Sequence, residues 1–273
     1  MQDRIEYQHV SEMPGLVLGD GCYSDFHFDP HYHLDYHIGL VTDGVQRQRF
    51  QGQSVLLGHG RISVMPPGEI HDGHGEDNDS YRMKTFRLAP QLLCNDMTDV
   101  AGRLFTPELA GNMLEDPGLA NGLLQLHYNL LKGEDVSLGT ESTWLELLAL
   151  MVRKLQPVKF TEIKGGLSQR HWQWVQEYCD VHLSEKIKLE QLSALCGLSR
   201  FQFLRRFERT TGLTPHAWLI RFRLERACLL LSVPGVSIAG VSQAVGFYDQ
   251  SHFNRAFRQA YGVAPSAYLN HAA

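Results

Sequence analysis

The 273-residue chain lacks the features of a membrane or disulfide-stabilised protein. No run of uncharged apolar residues approaches the 18 that a membrane-spanning helix needs. The start, Met1–Glu6, carries charge where a signal peptide has an apolar segment. The five cysteines are scattered without Cys-x-x-Cys spacing, which indicates reduced thiols and no disulfide framework. We therefore expect a cytoplasmic protein with no membrane partner.

The sequence motifs of several common enzyme classes are also absent. The chain has no Gly-x-Ser-x-Gly nucleophile motif, no Walker phosphate loop and no dinucleotide-binding fingerprint. Its hydrophobic content of 43% and charged content of 20% are those of an ordinary globular protein. The length is comfortable for two domains. We expect a globular protein that is not an enzyme.

Charge is distributed unevenly along the chain. Residues 168–273 carry 12 Lys and Arg against seven Asp and Glu, although the whole chain has a net charge of −5. The remaining 167 residues are strongly acidic, with 13 basic against 23 acidic side chains. A basic C-terminal region on an acidic body suits a protein that contacts a polyanion only through that region.

The last hundred residues contain one helix-turn-helix pattern twice, about 50 positions apart. Five residues of the first copy recur in register in the second: Phe203, Arg205, Phe207, Gly212 and Pro215 correspond to Phe253, Arg255, Phe257, Gly262 and Pro265. Two copies are too few for a solenoid. Two helical units that each present one helix with an exposed arginine suit two successive turns of a DNA major groove.

The second helix of each unit is expected to have an apolar back and a polar front. The paired phenylalanines of each helix, four residues apart, form the back. The front then contains the candidate DNA-binding residues, which are Arg200, Phe201, Gln202, Leu204 and Arg205 in the first copy and Gln250, Ser251, Asn254 and Arg255 in the second. Arg205 and Arg255 share one helical position, from which an arginine can contact guanine with two hydrogen bonds. A solvated helix face, or a pair of units that binds only protein, is the alternative.

These two segments carry a family resemblance. The runs Gly197–Phe207 and Thr211–Pro215 resemble the first reading head of the AraC/XylS transcription regulators, and Gly246–Phe257 with Gly262–Tyr268 resembles the second. The resemblance implies two heads that contact successive major-groove segments of double-stranded DNA. It also implies that the helix between them, here Pro215–Leu231, is a rigid connector.

The N-terminal part has a different sequence pattern from the C-terminal part. Residues 16–88 combine short alternating runs with frequent turn glycines, which predicts a sandwich or barrel of strands. Apolar residues at intervals of three and four predict helices over 91–103, 107–114, 119–131 and 141–155. The last of these has a wide apolar arc, which indicates a core helix and, by family resemblance, a dimerisation helix.

Four histidines of the N-terminal part are candidate ligands of a metal ion or an organic effector. His31, His33 and His37 have the same parity, so on a strand their side chains would lie on one side. This segment and the run from Gly60 to His71 resemble cupin motifs, with His37 at the position of the usual carboxylate. The resemblance implies that the four imidazoles converge inside a barrel. Such a set suits zinc, nickel or iron; a metal-free pocket for an organic effector is the alternative.

Together the patterns and resemblances predict an α+β multidomain protein. The expected parts are a cupin-like sensor barrel at 1–89, a helical dimerisation segment at 90–156, a linker at 157–167 and an all-α double helix-turn-helix domain of the AraC type at 168–273. The expected function is that of a homodimeric transcription regulator that responds to a small-molecule effector.

The nature of the effector rests on a further resemblance. The barrel segment His31–Gly73 is similar to family members associated with amino-acid export, so the expected effector is an amino acid or a related metabolite. A metal-responsive regulator, or a cupin-type metalloenzyme fused to a DNA-binding domain, is the alternative function. The replacement of the usual motif carboxylate by His37 argues against the enzyme.

Overall fold

A computed structural model describes residues 3–50, 53–101, 111–132, 138–155, 165–233 and 235–270. The chain divides into two compact units, which we call the N-terminal unit (1–159 with 267–273) and the C-terminal unit (160–266). Most of the predicted linker at 157–167 lies outside the described residues. None of the helices in the described ranges combines the length and apolar character that crossing a bilayer requires.

The N-terminal unit is built on two antiparallel sheets. The larger has the strand order β1-β2-β9-β4-β7-β10 and the smaller the order β3-β8-β5-β6. The strands of the described residues are β1 (Arg4–His9), β2 (Leu16–Tyr23), β3 (Phe28–His31), β4 (Tyr36–Asp43), β5 (Gln46–Phe50), β6 (Gln53–Leu57), β7 (Arg61–Met65), β8 (His71–Gly75), β9 (Tyr81–Leu88) and β10 (Asn112–Glu115). The β-rich prediction is confirmed. The strands form two sheets rather than one closed barrel.

Alternation along the strands gives the larger sheet two different faces. Ile38 and Leu40 of β4 and Phe86 of β9 are buried in an apolar cluster with the helices of this unit. The intervening residues point the other way, because successive side chains alternate across a strand. On that side Gln46 of the smaller sheet donates to the Tyr81 hydroxyl at 2.9 Å. We call the space between the two sheets the inter-sheet interior.

Three helices cover the apolar face of the larger sheet. They are α1 (Pro90–Ala101), α2 (Pro117–Leu131) and α3 (Leu138–Lys154). Trp144, Leu148 and Met151 of α3 are buried in the same cluster as the sheet residues, while Leu145 and Leu147 pack partly buried against it. Much of the wide apolar arc of α3 therefore belongs to the core of its own unit.

The prediction of a helix over 107–114 is wrong at its C-terminal end. Residues 112–115 form strand β10, in which Asn112 pairs with Val64 and Leu114 with Ile62 of β7. Residues 102–110 lie outside the described ranges. A short apolar run does not distinguish a helix from a strand, and the free edge of β7 supplies hydrogen-bond partners that are distant in sequence.

The C-terminal unit is helical. Its helices are α4 (Gln169–Val181), α5 (Leu189–Leu195), α6 (Arg200–Thr211), α7 (Pro215–Leu231), α8 (Ile238–Ala244) and α9 (Gln250–Tyr261). The short α10 (Pro265–Asn270), which was not predicted, follows α9, and its residues from 267 onward belong to the N-terminal unit. Helices α5 and α6 form the first head, α8 and α9 form the second, and α7 connects them. The predicted bounds of the connecting helix, Pro215–Leu231, are confirmed.

Candidate functional site

The second helices of the two heads begin and end with the same chemistry. The Ser199 hydroxyl accepts a hydrogen bond from the Gln202 backbone N–H at 3.3 Å, and the Asp249 carboxylate accepts one from that of His252 at 2.7 Å. Both helices end at a glycine in the left-handed conformation, with φ 70° at Gly212 and 75° at Gly262. Side-chain caps and left-handed glycines fix helix ends locally, so the two heads present recognition helices of equal length.

The packing face of each recognition helix is also repeated. Phe203 and Phe207 are fully buried with ring centroids 5.5 Å apart, and Phe253 and Phe257 are fully buried at 5.6 Å. Each buried aromatic pair fixes the rotation of its helix about its own axis. As a result Arg205 and its counterpart Arg255 are both exposed to solvent.

Most of the predicted DNA-binding side chains are exposed. Arg200, Phe201, Gln202, Arg205, Gln250, Ser251 and Arg255 are exposed, whereas Leu204 and Asn254 are half-buried. Leu204 lines an apolar groove beside Leu192 and Leu219 rather than standing free on the front of α6.

Two of the exposed side chains already have partners within the first head. Arg200 pairs with Glu190 of α5 at 2.7 Å. The side-chain carbonyl oxygen (Oε1) of Gln202 accepts from the Ser199 backbone N–H at 3.1 Å, which completes a capping box. The Arg205 guanidinium lies 5.8 Å from the Phe201 ring centroid and is directed outward.

Sequence reasoning missed a residue that ties the second head to the connecting helix. Arg223 of α7 is buried, and its guanidinium donates to the Gly246 carbonyl at 2.7 Å and to the Glu185 carbonyl at 2.6 Å. Burial lowers the pKa of Arg223. The hydrogen bonds to two carbonyl oxygens offset part of the cost of burying its charge.

The same helix carries a second buried ionic group. Arg221 and Glu225 form an ion pair at 3.3 Å, and the Tyr261 hydroxyl donates to the Glu225 carboxylate at 2.6 Å. Tyr261 is the last residue of recognition helix α9. Helix α7 therefore holds recognition helix α9 on both sides, the preceding turn through Arg223 and its last residue through Glu225.

Tyr248 is a second residue that sequence reasoning missed. It lies in the turn of the second head and its side chain is 95% exposed, whereas the preceding Phe247 is buried. An exposed large aromatic side chain beside the start of a recognition helix is a candidate contact residue. The only sequence signal was two adjacent aromatics in one turn, of which one has to face outward.

The structure brings three of the four predicted histidines together in the N-terminal unit. One ring nitrogen from each of His31, His33 and His71 lies within 4.8 Å of the others, and all three residues are buried. His31 at the end of β3 pairs directly with His71 at the start of β8. The Gly68 backbone N–H donates to the His33 carbonyl at 2.8 Å and ties the intervening segment to the turn before β8.

His37 takes a different place from the other three. It lies on β4 of the larger sheet, and its ring stacks on His33 with centroids 4.7 Å apart, but it is not a member of the group. The expectation that His31, His33 and His37 share one strand is wrong. The chain leaves the smaller sheet after His31 and enters the larger one at Tyr36, so the histidines approach each other across the crossing between sheets.

Backbone carbonyls fix the tautomer of two of these rings. The Nδ1 atom of His31 lies 2.7 Å from the Asp29 carbonyl oxygen, and Nδ1 of His71 lies 3.0 Å from that of Glu69. A carbonyl oxygen only accepts, so Nδ1 carries a proton in both rings, and in the neutral imidazole the lone pair is then on Nε2. This is the arrangement by which proteins orient metal-binding histidines.

Further polar side chains line the inter-sheet interior. A buried ion pair joins Arg87 and Asp35 at 2.9 Å, and Arg87 lies beside His37 in the strand register. Ser63 donates to the Gln48 side-chain carbonyl at 2.8 Å. Burial raises the pKa of the Tyr81 hydroxyl, which stays neutral. The same interior also holds a buried cluster of apolar and aromatic side chains, Tyr23, Val41, Leu57, Tyr81 and Met83, so its lining is mixed.

Two sequence families match the two units. The sequence model of the AraC-like ligand binding domain matches residues 13–148, and that of a helix-turn-helix domain matches residues 192–271. An AraC-type ligand domain joined to twin helix-turn-helix heads defines a DNA-binding transcription regulator. The chain belongs to the AraC family of these regulators, with a ligand-binding domain at its N-terminal end.

Individual relatives agree with this assignment. The chain is 27% identical to the HTH-type transcriptional regulator YbfI of Bacillus subtilis, over 82% of this chain and 81% of that protein. It is 30% identical to the MmsAB operon regulatory protein of Pseudomonas aeruginosa, over 78% of this chain and 66% of that protein. The structure of fatty acid-bound ToxT from Vibrio cholerae has the same fold, with a TM-score of 0.59 at 12% identity, over 93% of this chain and 94% of ToxT.

Proposed function

We propose that this regulator reads DNA through α6 and α9 and responds to a small polar effector in the inter-sheet interior. The observation that carries the DNA-reading part is the repeated geometry of the heads. Two helices with the same caps and the same buried phenylalanine pair both expose an arginine at the corresponding position. Identical placement on two heads is what contact with two successive groove segments requires.

The proposed effector is an amino acid or a related metabolite. An amino acid carries a carboxylate and an ammonium group, which match the charges of Arg87 and Asp35 if the ligand replaces the ion pair that these two residues form with each other. Its histidines and glutamines supply further hydrogen-bonding groups. The ToxT structure contains an unsaturated fatty acid, whereas the buried ion pair and the histidines of this interior favour a molecule with charged groups.

The DNA-reading proposal is tested on selected DNA. The full chain is used to select binding sequences from a random duplex library, and affinities for the selected site are measured by fluorescence anisotropy at fixed salt. Arg205→Ala and Arg255→Ala should each weaken specific binding by about 1–3 kcal/mol and relax base preference at different positions of the site. Arg170→Ala removes the same charge from an exposed position on α4 and is the matched control. Unchanged base preference in both recognition-helix variants would contradict the proposal.

The effector proposal is tested by linkage. Amino acids and related metabolites are screened for thermal stabilisation of the full chain, and each hit is titrated with and without the selected DNA. An effector should change DNA affinity by a factor of about 5–150, and DNA should change effector affinity by the same factor. A ligand that stabilises the protein but leaves DNA affinity and half-site preference unchanged would not be the effector.

The homodimer remains part of the proposal. Leu145, Leu147, Leu150 and Val152 of α3 are only partly buried within their own unit. A second copy would cover these side chains and give the assembly the two-fold symmetry that repeated half-sites require. Sedimentation equilibrium of the full chain, compared with a Leu150→Glu variant whose fold is checked by circular dichroism, would measure this association.

A further inference from the structure

We propose that His31, His33 and His71 form a binding site for one divalent transition-metal ion. The inference concerns the same interior to which the proposed function assigns an effector, and it deepens that proposal by naming the ligand chemistry. Histidine imidazole is the commonest metal ligand in proteins and suits zinc, nickel, copper and iron. A metal ion needs several such ligands directed at one point inside a protected site.

The first argument is convergence in a buried place. The ring centroids are 4.3 Å apart for His31 and His71, 4.9 Å for His31 and His33, and 5.2 Å for His33 and His71. The three residues are 4–8% exposed. They come from two strands and from the segment that crosses between the sheets, so the fold and not local sequence brings them together.

The second argument is the orientation of the rings. Asp29 and Glu69 hold the Nδ1 protons of His31 and His71 through their backbone carbonyls. Both carbonyl acceptors belong to the residue two positions before the histidine that they orient, and the two histidines are direct partners in the strand register. The same carbonyl contact to Nδ1 is therefore found at the end of β3 and at the start of β8. In the neutral form of each ring, this contact leaves the lone pair on Nε2. Such outer contacts raise the basicity of metal-bound imidazole and fix its direction.

The third argument is distance. Nitrogens bound at about 2.0–2.1 Å to one tetrahedral zinc ion are about 3.3 Å apart. The three nitrogens here lie within 4.8 Å of one another, so small side-chain rotations bring them to binding distance. The backbone need not move, because the strand pairing of His31 with His71 already sets their separation.

The geometry also leaves a position open on the ion. Three histidine ligands with a fourth, exchangeable position are the arrangement of non-structural zinc sites. A carboxylate oxygen of a small effector is a suitable fourth ligand for such an ion. In this arrangement the metal binds with the three histidines, and an anionic effector completes the coordination.

The test uses the full chain without a histidine tag, treated with a chelator and then titrated with Co²⁺ alone. Wild type should bind one equivalent and develop the visible absorption of tetrahedral Co²⁺, and Zn²⁺ should displace it. Removing a group that hydrogen-bonds to a metal-bound histidine lowers the affinity for the metal roughly 10- to 100-fold. His31→Gln, His33→Gln and His71→Gln should therefore each lose at least about 100-fold, since each removes a ligand outright.

His74→Gln is the matched control. His74 lies on the same strand as His71, at a position of opposite parity, and does not belong to the group. Its variant should bind Co²⁺ like wild type. Circular dichroism of each variant, with thermal unfolding in the absence of metal, separates loss of a ligand from loss of fold. Wild type that takes up no Co²⁺ or Zn²⁺ near neutral pH, or a control that weakens as much as the triad variants, would overturn the site.

Whether the three histidines bind a metal ion is tested separately from whether that ion regulates DNA binding. DNA affinity is measured on the same samples with and without metal. Metal binding that leaves DNA affinity unchanged supports the site and counts against its regulatory role. Full DNA and effector binding by a protein that takes up no metal overturns the site and leaves the proposed function intact.

Discussion

A buried histidine outside the proposed metal site should make the N-terminal unit unstable in mild acid. His127 of α2 is 1% exposed, and its Nε2 lies 3.0 Å from the Gly19 carbonyl oxygen of β2. Its ring packs edge-on against Phe86 of β9. Desolvation by burial, reinforced by the positive charge of Lys84, lowers the pKa of His127 to about 4.

The sign and size of the effect follow from proton linkage. The folded unit keeps His127 neutral down to about pH 4, whereas the unfolded chain takes up a proton below about pH 6.5. The contribution of His127 is therefore fully present above about pH 6.5 and is lost as the pH falls toward about 4. Each pH unit in that window costs about 1.4 kcal/mol, which amounts to about 2 kcal/mol at pH 5.

The measurement compares wild type with His127→Gln at pH 7 and pH 5. Glutamine can still donate to the Gly19 carbonyl but does not titrate. Unfolding free energies are taken from the urea dependence of hydrogen exchange in peptides from α2 and β9, which report on the N-terminal unit alone. Groups that titrate equally in both proteins cancel in the comparison. Wild type should lose about 2 kcal/mol more than the variant between the two pH values; equal losses would refute the assignment of the effect to His127.

Two further predictions concern the C-terminal unit. Arg223→Met leaves the Glu185 and Gly246 carbonyls without their buried donor, and each hydrogen bond to a charged group contributes about 1.5–3 kcal/mol. Exchange in α8 and α9 should therefore speed up more than in α6, and equal acceleration in both heads would contradict the link to the second head. Gly197→Ala should lower the free energy of unfolding by about 1–2 kcal/mol, because alanine is strained in the left-handed conformation. In Gly246→Ala the new methyl group would also clash with the Leu183 carbonyl and Arg223, so the loss should be about 2–5 kcal/mol. Equal losses of unfolding free energy in these two glycine variants would refute the packing difference.

Much of the C-terminal unit was predictable because its signals are local. Ser199 starts α6 and Gly212 ends it through contacts within a few residues, and the repeat doubles every such signal. The twin phenylalanines identify the buried face by their spacing alone. These features fix helix bounds and the outward direction of Arg205 and Arg255 without knowledge of the tertiary fold.

The features that the sequence did not predict depend on contacts between residues that are distant in sequence. Arg223 lies 23 and 38 positions from the two carbonyls that it binds, so no local pattern marks it. Strand β10 forms because the edge of β7 is available to it. The histidine spacing correctly suggested a cluster, but it did not show that His31 and His37 belong to different sheets. Proximity across two sheets follows from the topology and not from side-chain parity.

The repeat also conceals a difference between the two heads. Gly197 and Gly246 occupy equivalent turns with φ of 63° and 78°. Among the described residues, no heavy atom lies within 4 Å of a Cβ built on Gly197, whereas one on Gly246 would lie 2.4 Å from the Leu183 carbonyl oxygen. The second turn is therefore enclosed and held by Arg223, while the first turn is open on that side. Equal sequence signals thus produce two heads with recognition helices of equal length, whereas the turns before these helices differ: the second is enclosed by Leu183 and Arg223, and the first is open at Gly197.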